Sequence, residues 1–219
     1  MENIKKVSGL NFFLLAICAF AGLGTEVIYA FLIEPAIYGV PMQDWNTVQS
    51  IIHWIITCIT WSIIAFILIK IAHKKYQFNL FEKSNNVKLW QWIVIFIGVV
   101  IIFVVSYKSW NGFKIVKEFQ YNGWLKFIFQ YIYYIVETAL FTLIIVFGQK
   151  AFEIWFKNKN FPYGALLIAL TWGLGHILTK DLQTGLYGVL SGFLFGAVYL
   201  LVNRDIKKTF LILLIMFIL

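Results

Sequence analysis

The stretch LKFIFQYIYYIVETALFTLIIVFG, residues 125–148, decides how this chain is read. It is largely apolar, and its only charged residues are a lysine near its start and one glutamate, Glu137, at its centre. A bilayer core takes roughly 20 helical residues, so the run is long enough to cross one. Comparable runs lie on both sides, and the apolar pattern predicts spans at 10–33, 48–71, 88–107, 125–148, 163–179 and 184–202, followed by a short apolar tail at 209–219. Hydrophobic residues make up 61% of the 219 positions and charged residues 13%, whereas a soluble domain carries about 25% charged residues. The expected fold is therefore all-α: a single integral membrane domain over 1–219, with six transmembrane helices and a short C-terminal apolar helix.

The net charge of +8 does not point to nucleic acid. Its lysines fall in short segments between spans, where they act as topology determinants and contacts for anionic lipid. If the N-terminus is cytoplasmic, thirteen of the eighteen Lys and Arg residues fall in inner segments, among them Lys5, Lys6, Lys74, Lys75 and Arg204. The first outer loop, EPAIYGVPMQDWN, holds acids and no lysine. Both patterns predict a cell-membrane protein with its N-terminus inside. The first span follows Lys5 and Lys6 as a signal peptide would, but it runs to about residue 33, holds Glu26 and lacks a small-x-small cleavage site, so it reads as a retained anchor. Cys18 and Cys58 lie within spans and imply no disulfide framework. The outer segment YKSWNGFKIVKEFQYNGW (107–124) reads as an interfacial helix or an ordinary amphipathic connector. No internal repeat supports an inverted-repeat transporter.

Polar groups within spans are costly, so each calls for a reason. Glu137 lies about 12 residues into its span, roughly 18 Å deep at 1.5 Å per residue. An ionised carboxylate there needs water, a cation or a hydrogen-bond donor; a structural carboxyl bonded to a neighbouring helix is the alternative. His176, in LTWGLGHILTK (170–180), sits near the outer end of a helix running the opposite way and is the natural partner. Imidazole beside carboxylate positions and activates water. Gly173 and Gly175 leave room beside it for backbone or substrate. Glu26 either pairs with the core or faces the outer interface. Glu34 and Asp44 read as solvated loop carboxylates, His53 as interfacial beside Trp54, and His73 as solvated. The chain lacks the HExxH zinc helix. Gly188, Gly192 and Gly196 recur every fourth residue and form a small-residue stripe for helix packing.

These residues resemble the CPBP intramembrane proteases, the type II CAAX prenyl endopeptidase and bacteriocin-processing group, over residues 125–219. ETALFTL (137–143) is similar to the family's first motif, Glu-Glu-x-x-x-Arg: Glu137 matches the first glutamate and Phe141 the aromatic before the arginine. Thr138 stands in place of the second glutamate and Thr142 in place of the arginine. WGLGH (172–176) is similar to the second motif, Phe-x-x-x-His, and YGVLSGFLFGAVYLLVNR resembles the glycine-bearing helix of the family that precedes its last motif. The third motif, a histidine four residues before an asparagine, should fall in TFLILLIMFIL (209–219), where neither residue occurs.

The resemblance implies an endopeptidase in which Glu137 is the general base and His176 orients the water. Its substrate would be a peptide or lipidated peptide met in the membrane, in bacteriocin immunity or peptide processing. The alternative is a catalytically inactive relative acting as a binding or self-immunity protein. Metal involvement is disputed for the family, no strong metal motif is present, and the cofactor is left unknown. Asn203, Thr171 or backbone are the candidates to replace the missing oxyanion donors. The tail, about 16 Å long as a helix, is expected to pack against the Glu137 and His176 helices and end near their cavity, whether the natural chain stops there or has been shortened.

Overall fold

A computed structural model describes residues 7–219, so Lys5 and Lys6, which enter the lysine count, lie outside the described residues. Every regular element among them is helical. We number the helices α1 (Gly9–Tyr38), α2 (Thr47–Tyr76), α3 (Leu89–Ser109), α4 (Lys114–Phe156), α5 (Tyr163–Leu178) and α6 (Leu182–Leu201), then α7 (Ile206–Ile218). Five of them, α1 to α4 and α6, are long and apolar enough to cross a membrane. The expected six plus one is thus seen as five long helices, the shorter apolar α5 and the tail helix α7.

Local chemistry sets the ends. Asn46, Asp181 and Asp205 cap α2, α6 and α7 by accepting the backbone N–H of Gln49, Thr184 and Lys208, each occupying a donor the helix cannot satisfy itself. The core is the C-terminal half of α4, where Leu140, Phe141, Ile144, Ile145 and Phe147 are fully buried. Phe12, Ala16 and Ala19 of α1 lie in the same core. The outward faces are the reverse of a soluble protein's: Ile59, Ile63 and Phe66 of α2 and Trp90, Phe96 and Ile97 of α3 are all exposed. A surface of that kind is stable against lipid and not against water.

The helix α4 is two helices in one. At Gly123 the backbone takes φ 66°, ψ 173°, a conformation open to glycine. There the arm Lys114–Asn122 folds back over the turns that carry Phe127, Tyr131 and Tyr134. Glu118 therefore accepts hydrogen bonds from the hydroxyls of Tyr134 (2.6 Å) and Tyr131 (2.9 Å). In a straight helix, sixteen residues would separate Glu118 from Tyr134 by about 24 Å. Within the 107–124 segment the helix begins at Lys114; it buries Glu118 and leaves Phe119, Tyr121 and Trp124 exposed.

At the opposite end a polar layer ties three segments together. Arg204 donates to Glu153 at 2.7 Å and to the Lys159 carbonyl, Gln91 donates to Asn203, and Ser84 donates to Asp205. Burial acts to raise the Asp205 pKa, but Lys208, through side chain and backbone, and Ser84 outweigh it and hold the carboxyl down at about 2.

Candidate functional site

The glycine stripe brings α5 against α6. A Cβ on Gly196 would stand 2.1 Å from the Ala165 Cα, and one on Gly192 3.0 Å from the Ala169 Cα. Gly188 meets the Gly173 carbonyl at 2.9 Å on the same measure. Side chains at these three positions would hold the helices apart. Midway along, α5 widens into a π-turn, Ala169–Gly173, a distortion frequent at functional sites. Trp172 sits in that turn.

Trp172 joins the two residues the sequence singles out. Its indole N–H donates to Glu137 Oε1 at 3.3 Å, and its carbonyl accepts the Nδ1–H of His176 at 2.8 Å. Since a carbonyl can only accept, the imidazole carries a proton on Nδ1, and in the neutral ring Nε2 is then the basic nitrogen. The indole stands edge-on to Phe141 at 4.7 Å and to the His176 ring at 4.5 Å. Glu137 is 8% exposed, so it is dry on most sides. It nevertheless lines, together with Trp172 and His176, one cavity of about 830 Å³.

Other walls of this cavity come from residues the sequence did not connect with Glu137. Glu26 of α1, Trp61 of α2, Tyr133 of α4 and Ser191 of α6 all line it. Lys114, on the folded-back arm, lines it too; its ammonium donates to the Phe217 carbonyl at 2.5 Å and lies over the rings of Tyr134 and Phe217. Phe217 of α7 also contacts Phe141 at 5.2 Å, and Trp172 lies at 6.0 Å. The tail thus packs against the Glu137 and His176 helices, as its length and position led one to expect.

Several side chains do something other than expected. Asn203 is at the far end, bonded to Gln91 and to the Asn86 carbonyl, and the Thr171 hydroxyl donates to the Leu167 carbonyl of its own helix. Neither is placed to serve an oxyanion. Thr138 and Thr142, in the places of the family's glutamate and arginine, likewise donate to carbonyls one turn back. The largest correction concerns α1 and α2. Glu34 is not a solvated loop residue but is 3% exposed, because α1 continues to Tyr38; His53 is 2% exposed instead of interfacial. The His53 Nδ1–H donates to Glu34 Oε2 at 2.5 Å, and its Nε2 stands 3.6 Å from Glu26 Oε1. Among the described residues no group of three or more His, Cys, Asp or Glu is arranged to hold a metal ion.

No family model matches this chain, and neither the curated proteins nor the solved structures contain a significant match to it.

Proposed function

We propose that this chain is a polytopic membrane protein with a CPBP-like core over residues 125–219, acting as an intramembrane endopeptidase on a peptide or lipidated peptide. The observation that carries the reading is that Glu137 and His176, from different helices, line one cavity and are joined through Trp172. In the reaction, Glu137 takes a proton from a water that His176 orients through Nε2. The resulting hydroxide adds to the peptide carbonyl carbon. As the C–N bond breaks, the proton held by Glu137 passes to the leaving amine, so the carboxylate is regenerated and no other reactant is needed.

A second reading, a non-hydrolytic binding or self-immunity protein on the same core, is favoured by one observation. Asn203 and Thr171, the side chains available to replace the third motif, are engaged in other bonds. An oxyanion donor is worth about 3–4 kcal/mol of barrier, so hydrolysis without one is slow. The two readings separate in a single experiment. Wild-type protein and Glu137→Gln, each in lipid nanodiscs, are incubated with membrane-inserted peptides in oxygen-18 water. Labelled carboxyl termini from wild type alone support hydrolysis. Peptide retained by both proteins without new termini supports the binding reading, and equal cleavage by both ends the assignment of Glu137 as base.

For orientation we propose the N-terminus inside, with the loops 72–88 and 149–162 cytoplasmic. The polar layer supports this by gathering Ser84, Glu153 and Arg204, all from segments assigned inside, at one end. Labelling of a cysteine introduced in either loop by an impermeant reagent from outside would reverse the assignment.

A further inference from the structure

Four buried side-chain polar atoms among the described residues have no hydrogen-bond partner: Glu34 Oε1, His53 Nε2, Thr57 Oγ1 and Trp61 Nε1. Three of the four are spaced i, i+4, i+8 on α2, which stacks them on one face over about 12 Å. Thr57 and Trp61 are 0% exposed and His53 2%. A hydroxyl or indole N–H buried without a partner costs free energy that a bridging water recovers. The stripe begins at the Glu34–His53 contact, and Trp61 at its other end lines the cavity that holds Glu137.

The first carboxylates of this line owe their placement to a local distortion. Eight residues separate Glu26 from Glu34, which in a regular helix leaves them about 80° apart around the axis. The π-turn Tyr29–Ile33 lies between them and absorbs one residue. The effective spacing is then seven, which brings the two within about 20° of one line. Both therefore reach His53.

We propose that Glu34, His53, Thr57 and Trp61, with Glu26 alongside, form a hydrated path for hydrogen ions between the outer ends of α1 and α2 and the Glu137 cavity, with His53 as the relay. The charge count requires a proton there. A neutral imidazole donating from Nδ1 to Glu34 would turn the Nε2 lone pair toward the Glu26 carboxylate; protonated, the ring faces a carboxylate with each N–H. The charged groups acting on His53 are Glu26 and Glu34 of α1. Trp45 of the preceding loop packs tilted against the imidazole at 5.2 Å, and its indole does not titrate. From α4, Tyr133 faces the Trp61 ring at 4.9 Å and Lys126 lies over Trp54. Relay occurs when the imidazolium passes its Nε2 proton to Glu26 or to water bound at Thr57. The neutral ring, still protonated on Nδ1, rotates so that its bare Nε2 takes a proton delivered by Glu34 and then rotates back, so charge and protons balance without a co-reactant. This path stands whether or not the cavity hydrolyses peptides.

The test is nuclear magnetic resonance of histidine-labelled protein in lipid, with the His53 ring assigned by its loss in His53→Gln. At neutral pH the His53 ring is expected to be doubly protonated and to receive magnetisation from water. Thr57→Val keeps the shape of the side chain and removes its hydroxyl; it should lower water-to-ring transfer several-fold at an unchanged melting temperature. Should His53→Gln fail to fold, Glu34→Gln supplies the assignment, since it should convert the same ring to the neutral form. A neutral His53 ring in wild type, or water transfer unaltered by Thr57→Val, overturns the proposal.

Discussion

Two clusters of ionisable groups border the same cavity, and they are built on opposite plans. Glu137 and His176 are joined only through Trp172, by one long indole bond and one carbonyl bond. Glu26, His53 and Glu34 form a compact set in which imidazole and carboxylate touch directly. Each lies beside a π-turn, Ala169–Gly173 in α5 and Tyr29–Ile33 in α1. The difference separates two uses of charge in lipid. The first pair holds its carboxylate and imidazole apart on either side of an indole, and the second sets imidazole directly against carboxylate while leaving Glu34 Oε1 and His53 Nε2 for water.

Removing each histidine should show the contrast most strongly. His53→Ala leaves Glu34 buried without its partner, and breaking a buried pair in this way costs about 3–5 kcal/mol. His176→Ala removes a single bond to its own helix, worth about 1 kcal/mol. Thermal melting of both variants in one detergent checks the ranking; equal losses would mean that the two clusters do not differ as described.

Gly196→Leu comes next. It inserts a side chain where even a Cβ meets backbone at 2.1 Å, and overpacking of this kind costs about 1–3 kcal/mol. Because α5 carries Trp172 and His176, the variant should expose Trp172 to a fluorescence quencher while leaving the His53 ring signal in place. Loss of both together would show that the clusters are not independent.

The two clusters are also unequally legible in the sequence. Glu137 is the lone acid in the middle of an apolar run, and His176 follows Trp172 at the spacing of a known motif. Depth and order therefore place them, and the four-residue glycine period places α6. Glu34 escapes such a reading because the apolar run ends at residue 33, one position before it. A carboxylate beyond a hydrophobic run reads as solvated, and Gly39, the left-handed cap that ends the helix after Tyr38, is a local sign of its continuation too weak to read against Pro35 and Pro41. The π-turns are equally hidden, because a single absorbed residue changes phase without changing composition. The fold-back at Gly123 has a sequence cue in Asn122-Gly123, but the burial of Glu118 beneath Tyr131 and Tyr134 depends on tertiary geometry.

Smaller effects refine the comparison. Trp172→Phe keeps the ring against Phe141 and removes the donor to Glu137, with an expected loss of about 1 kcal/mol. Calorimetry checks the value; a loss as large as that of His53→Ala would mean that the indole bond is structural. The smallest effect belongs to Asp205, at the opposite end from both clusters. Its folded pKa is depressed to about 2, so its stabilisation is fully present above the usual aspartate range and disappears as pH falls through about 2. Asp205→Asn should lower the melting temperature slightly at neutral pH, where the carboxylate's bonds are in place, and converge with wild type near pH 2, so its acid profile is flatter. An acid profile identical to wild type would show that the Asp205 bonds contribute nothing.

The proposed chemistry depends above all on Glu137 standing against Trp172 within the cavity that His176 shares. Rotational-echo double resonance in lipid, between carboxyl-labelled glutamate and indole-labelled tryptophan, measures that contact directly. The 3.3 Å bond predicts a strong dephasing component that disappears in Trp172→Phe and equally in Glu137→Gln. A dephasing curve unchanged by either substitution would contradict this arrangement.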